Sequence, residues 1–333
     1  IHAKFTAHVL TPTSCCINVI IEMELFMGIV VMGAVFVDIK GFPEDIYIPD
    51  GRNVGHVEYI HGGVSRNVVE DIANIELRPT FVGIVDDSAL GEDVVKKLKN
   101  HKVNTDYVMT MPGGMGTWLA VFDHNGDLAG SISQRPNLMP ILGLLEEKGD
   151  EIFANADSVI VEVDMDKDII KKVVALAKQY NKKLYGVVSN MSIAVERRDF
   201  LKHFDCFICN QLEAGMLFME DYADKSPEEL RDILSKRVIL GKIPAMIVTM
   251  GGNGAVYADV NGEKGICPPQ RVRVKDTTGA GDAFCAGVAS GLTYGKTLSE
   301  AVEIGSRLAA SVITSSENVC PRFLPEEFGI TLD

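Results

Sequence analysis

From residue 28 onward, short apolar runs alternate with stretches of helical period. Residues 29–32, 80–84, 158–161, 183–188, 206–209 and 245–249 are compact runs with β-branched members, and each reads as a buried strand. Between them, Ile169, Ile170, Val173, Val174 and Ala177 fall on one helical face, as do Val94, Val95 and Leu98 after Gly91. The last 60 or so residues read as mostly helical. This alternation predicts an α/β fold with a mainly parallel sheet covered by helices on both faces. Two segments depart from it. Residues 41–61 hold short β-like pieces and no helix, and residues 117–123 and 128–133 flank a tight-turn signal at Asn125-Gly126. Both predict a small second sheet standing off the main body.

A length of 333 residues allows one large α/β domain or two ordinary ones. Lys and Arg number 32 against 46 Asp and Glu, a formal net charge of −14. That balance argues against nucleic acid or an anionic membrane as the main partner, while a small anionic ligand held by local backbone groups and metal ions stays open. Seven scattered cysteines, an odd number, argue against a disulfide framework and for a reducing, cytoplasmic setting. Cys206 and Cys209 form a C-x-x-C inside an apolar run and read as ordinary strand cysteines. Residues 17–37 are largely apolar, but Glu22 and Glu24 interrupt them, which disfavours a membrane span. Residues 1–26 read as a leader or expression remnant preceding the domain at 27–333.

The strongest chemical signal is Asp276-Thr277-Thr278-Gly279-Ala280-Gly281-Asp282, running into a helical stretch. Small residues at a helix start let backbone N–H groups approach an anion, and the helix dipole adds to the attraction. An acid beside such a nest repels phosphate, yet it suits a base for a hydroxyl that attacks the phosphate. Gly279, Ala280 and Gly281 would then hold a transferring phosphoryl group, and Asp282 would take the proton late in the transfer. A helix start merely capped by Asp is the competing reading. The segment lacks the last glycine of a dinucleotide fingerprint, where Phe284 stands, and residues 291–297 are one residue short of a P-loop. A second constellation is His61-Gly62-Gly63-Val64-Ser65-Arg66-Asn67 before an apparent helix at 68–77, with paired glycines for close backbone approach. A third is Asp38, read as following the end of the first strand, where open parallel sheets bind ligands.

These elements together resemble the ribokinase (PfkB) family of carbohydrate and nucleoside kinases over residues 28–328 or so. Residues 276–287 resemble its C-terminal signature, and Gly62-Gly63 with Asn67 its glycine-pair element. Asn210-Gln211-Leu212-Glu213 is similar to its N-x-x-E element, and residues 249–254 to its T-x-G-x-x-G element, all in the family order. The resemblance implies ATP and Mg²⁺. Glu213 and Asn210 would order the metal's water shell, and Thr249, Gly251 and Gly254 would line the nucleotide site. Asp38, Gly62, Gly63 and Asn67 would bind the sugar, under a β lid from about 41–61 and 112–134. Asp276 and Thr278 would stand where the family often holds a monovalent cation such as K⁺. Val64 replaces the Lys usual in ribokinases, and residues 38–41, 62–67 and 117–127 are more similar to pseudouridine kinases. Residues 131–136 depart from the acidic sequence expected there, and Trp118 suits either ligand stacking or lid packing. The expected activity is transfer of phosphate from ATP to a hydroxymethyl group of a sugar or sugar-like nucleoside. A non-catalytic nucleotide or sugar sensor on the same fold is the alternative. A homodimer paired through the lid stays open.

Overall fold

A computed structural model describes residues 28–331. The reading of 1–26 as a leader lies outside them. Along the chain run β1 (Gly28–Met32), β2 (Phe36–Pro43), β3 (Gly55–Gly62), α1 (Val64–Asn74), β4 (Thr80–Val85), α2 (Ala89–Asn100) and β5 (Asn104–Thr110). Then come β6 (Gly116–Phe122), β7 (Leu128–Gln134), α3 (Pro140–Asn155), β8 (Ala156–Glu162), α4 (Lys167–Gln179), β9 (Lys183–Val187) and α5 (Met191–Ala194). The last part holds β10 (Cys206–Asn210), α6 (Gln211–Phe218), α7 (Pro227–Gly241), β11 (Ala245–Thr249), β12 (Ala255–Asp259), β13 (Lys264–Cys267), α8 (Ala280–Thr293) and α9 (Leu298–Ile313).

Among the described residues, nine strands form one sheet in the order β13-β12-β11-β10-β9-β8-β1-β4-β5. It is parallel from β11 to β5, and only β12 and β13 add antiparallel pairs at one edge. Alternation sends Val30 and Met32 of β1 into the core on one face and Ile29 and Val31 into the core on the other. β1 is therefore apolar throughout, as a strand covered on both faces must be. α3, α4 and α7 cover the first face, and α1, α8 and α9 the second. Capping boxes start α7 at Ser226 and Glu229 and α9 at Thr297 and Glu300. The chain steps from β1 outward to β4 and β5, then returns to β8 on the other side of β1. The winding reverses between β1 and β8, and the C-terminal strand ends open into a crevice there.

The remaining four strands form the small sheet, in the order β3-β2-β6-β7. At the β6–β7 turn, Gly126 adopts φ 85° and donates its N–H to the Asp123 carbonyl at 3.0 Å, so Asn125-Gly126 does make the expected turn. Three expectations need correction. The small sheet begins at Phe36, five residues before the expected 41, so Asp38 lies within β2 and not in a loop after β1. Helix α1 starts at Val64 and not 68, because Gly63 at φ 100° turns the chain directly into it. The sequence reading also lacked β5 and β13, edge strands with little apolar patterning, and β12, a buried apolar run of only five residues. Cys206 and Cys209 are free, buried strand residues that enter opposite cores, so they share no site. Among the described residues no helix is long and apolar enough to cross a membrane.

Candidate active site

The start of α8 is shaped by Gly279, whose φ of 80° places it in the left-handed region. A Cβ there would lie 2.0 Å from the Asn318 carbonyl oxygen, so only glycine fits. A helix start leaves its first N–H groups without intrahelical acceptors. Ala280 turns its own N–H to the Thr277 carbonyl at 3.3 Å, so Gly281 and Asp282 present the freer groups. A Cβ on Gly281 would meet open space, and the backbone here is bare.

Asp282, in the first turn of α8, is met by α1. Asn67 Nδ2 donates to Asp282 Oδ2 at 2.7 Å. Burial pushes the Asp282 carboxyl up to about 7, against the Asn67 hydrogen bond and the Arg66 charge, with Asp38 and Glu213 adding to the rise. Asp38 reaches the same place from β2. A Cβ on Gly62 would lie 2.7 Å from its carboxylate oxygen, so the glycine makes room for the acid. Burial also raises Asp38, against the charges of Lys40 and Arg66. Across β2 and β6, Asp38 stands opposite Trp118, so the single Trp shares the face that carries Asp38.

Two members of this site were not singled out in the sequence. Glu162 ends β8, fully buried, and its Oε1 accepts N–H groups from Ser65 at 3.0 Å and Ala34 at 3.3 Å. Burial and the neighbouring Asp164 raise its carboxyl to about 8. The available signal was an acid closing a buried strand at a switch point. Arg66 is also buried, and it donates to Glu70, to the His61 carbonyl and to Asn67 Oδ1. In the sequence Arg66 stands within the His61–Asn67 constellation, with no role of its own assigned to it.

The other end of the crevice is built by β10 and β11, where Asn210 pairs with Thr249 in register. Asn210 caps α6 by accepting the Glu213 N–H at 2.9 Å, and the Glu213 carboxylate accepts the Asn210 N–H at 2.7 Å. The N-x-x-E element is thus a capping box as well. Burial raises Glu213, the Asn210 N–H opposes that, and the Asp164 charge adds to it. Beyond Thr249, Gly251 and Gly254 have φ of 54° and 85°. A Cβ on Gly254 would lie 2.1 Å from the Cys267 carbonyl, whereas Gly251 and Gly252 face open space. Asp276 Oδ1 accepts the Thr278 N–H at 2.8 Å. For Asp276, burial alone would raise the carboxyl, and the Thr278 hydrogen bonds with the Lys40 charge bring it below its ordinary value. Asp38, Asn67, Asp282 and Glu213 therefore converge, Thr249 stands beside Asn210, and Asp276 lies within reach of the Lys40 charge. No cluster of three or more metal-ligating side chains occurs among the described residues.

The sequence model of pfkB family carbohydrate kinases matches residues 28–320. A guanosine-inosine kinase from Exiguobacterium acetylicum is 36% identical over 298 residues, which is 87% of this chain and 95% of that protein. A pseudouridine kinase from Escherichia coli is 23% identical over 297 residues, 86% and 90% of the two chains. The structure of Arabidopsis thaliana ribokinase complexed with ribose and ATP superposes with a TM-score of 0.78 at 19% identity, over 91% of this chain and 99% of that one. The chain belongs to the pfkB family of carbohydrate kinases and is a phosphotransferase of that family.

Proposed function

We propose that this pfkB-family kinase phosphorylates the hydroxymethyl group of a nucleoside, with a purine nucleoside of the guanosine–inosine type as its substrate. The observation that carries the reading is the Asn67–Asp282 pair at the start of α8, which sets one carboxylate beside bare backbone N–H groups. The purine preference rests on the 36% identity to a guanosine-inosine kinase, against 23% to a pseudouridine kinase.

ATP supplies the phosphoryl group. Gly279, Ala280 and Gly281 form the wall against which that group is held, and the α8 dipole favours its charge. Asp282 accepts the hydroxyl proton late in the transfer, since a carboxylate is too weak a base to ionise an alcohol beforehand. Asp38, Gly62, Gly63 and Asn67 hold the sugar, with the small sheet as its lid. Thr249, Gly251 and Gly254 accommodate the nucleotide, because the open space beyond Gly251 and Gly252 leaves their backbone uncovered. Glu213 and Asn210 fit Mg²⁺ with its water shell. Glu213 is a carboxylate whose charge is disfavoured by burial and by Asp164, which a hard cation relieves. Asp276, kept ionised by Thr278, and Thr278 itself suit a monovalent cation such as K⁺. Val57, Tyr59, Leu119 and Ile132 are exposed on the lid face opposite Asp38, which suits a homodimer through that sheet.

The test is Mg-ATP turnover, followed as ADP formation, over guanosine, inosine, adenosine, pseudouridine, ribose and fructose, with and without K⁺. Highest kcat/KM with guanosine or inosine is expected. A preference for pseudouridine or a free sugar would overturn the purine assignment. Binding without turnover of any member would place the substrate outside this panel and overturn the purine assignment as well.

A further inference from the structure

In the signature segment Gly62–Asn67, Arg66 is charged and yet 1% exposed. Its three acceptors differ in kind. Nη1 donates to Glu70 one turn along α1, and Nη2 donates both to the His61 carbonyl before the helix and to the side-chain oxygen of Asn67. A planar guanidinium can serve such a divergent set at once, where an ammonium presents a single point. Asn318, from the segment after α9, adds a second clamp of the same sense. Its Nδ2 donates to the His61 carbonyl at 2.8 Å and to Asn67 Oδ1 at 3.3 Å.

The consequence concerns the amide of Asn67. Its oxygen is surrounded by donors, so turning the amide over would set its NH₂ against them. The only orientation that satisfies the network points Nδ2 away from Arg66, toward Asp282 Oδ2 at 2.7 Å. The other Asp282 oxygen then has no hydrogen-bond donor among the described residues and is left to accept from a substrate.

We propose that Arg66 is a positioning residue for phosphoryl transfer: it locks the Asn67 amide so that the amide donates to Asp282 and fixes which carboxylate oxygen faces the substrate hydroxyl. This rests on Asp282 being the base. Arg66 is not cancelled outright by Glu70, because Lys97 at 3.1 Å and His101 at 3.7 Å also address that carboxylate. The charged or titratable groups around Asp282 are Arg66 and Asp71 on α1, Asp38 on β2, Glu213 on α6 and Cys285 on α8. Of these Arg66 alone is cationic, so both its charge and the hydrogen bond it enforces hold Asp282 toward its ionised form.

The experiment compares the pH dependence of kcat/KM in four full-length proteins. They are the parent, Arg66→Lys, the double variant Arg66→Met with Glu70→Met, and Asp282→Asn. The double variant removes the buried pair together, so no lone charge is left in the core. With its melting temperature preserved, it is expected to lose about 10- to 100-fold in kcat, as a misdirected catalytic group does. Its acid limb should move to higher pH by about half a unit or more. Arg66→Lys, which keeps the charge, should hold the limb nearer the parent while recovering only part of kcat. An unmoved limb with kcat within about twofold of the parent, in either folded variant, overturns the assignment. So does a fall in activity that merely tracks lost folded protein with no shift of the limb. Should the double variant not fold, Arg66→Lys alone decides by the same two readouts. Asp282→Asn separates the two levels: if it keeps its turnover, the base assignment itself fails, whereas an inactive Asp282→Asn beside parent-like Arg66 variants removes only the role of Arg66.

Discussion

Asn67 on α1 donates to the Asp282 carboxylate on α8 at 2.7 Å, across 215 residues of sequence. The contact joins the glycine-pair segment to the anion nest and places one half-buried acid where two helix starts meet. Asp282→Asn is expected to lower turnover about 10³-fold, within the range for loss of a general base, with the fold intact. It should also stabilise the protein above neutral pH. The folded Asp282 carboxyl sits at about 7, above its ordinary 3.8, so its contribution to stability is full below pH 3.8 and falls as pH rises through 7. Asn has no such loss. Melting curves at pH 5 and pH 8 should therefore show a larger gain for the variant at pH 8, and an equal effect at both would contradict the burial of that charge.

Gly279 and Gly281 are two residues apart and should fail in different ways. Gly279→Ala forces a side chain into the left-handed region and against the Asn318 carbonyl, at a cost of about 1–2 kcal/mol or more, read as a lower melting temperature. A Cβ on Gly281 meets nothing, so Gly281→Ala should fold like the parent. Its methyl group would instead stand in the nest and reduce kcat with Mg-ATP. If Gly281→Ala turned over normally, the wall it forms would lie elsewhere.

Glu162 tests the floor of the site. Its carboxyl is raised to about 8 from 4.5, so the stability it confers is complete below pH 4.5 and declines as pH climbs through 8. Glu162→Gln keeps an oxygen for the Ser65 and Ala34 N–H groups and cannot ionise. Between pH 6 and pH 9 the melting temperature of the parent should fall relative to that of the variant. Parallel curves over that range would show that Glu162 is solvated or paired in solution.

Glu213 carries two duties that substitutions can separate. Glu213→Gln keeps an acceptor for the Asn210 N–H and removes the charge, so stability should change little while the Mg²⁺ concentration for half-maximal turnover rises severalfold. Glu213→Ala also removes half of the α6 capping box, at about 0.5–2 kcal/mol. Chelating Mg²⁺ should abolish turnover by the parent. An unchanged metal requirement in Glu213→Gln would leave Glu213 a helix cap and nothing more.

The sequence by itself determined what depends on short-range order. Apolar runs marked six of the seven parallel strands of the main sheet, β1, β4, β8, β9, β10 and β11, Asn125-Gly126 marked the β6–β7 turn, and small residues before Asp282 marked the bare start of α8. Period, turn chemistry and glycine placement act over a few residues, so they are visible without the fold. Edge strands such as β5 and β13 escaped because an edge needs less apolar patterning than a strand covered on both faces. Only the tertiary structure set Asp38 on a lid strand against Gly62, closed β8 with a buried Glu162, and wrapped Arg66 around Asn67. Those features arise from burial and from donors supplied by distant segments. Whether a carboxylate is a solvated surface charge or a base near neutral pH is decided by what packing removes from water around it, and no local pattern carries that information.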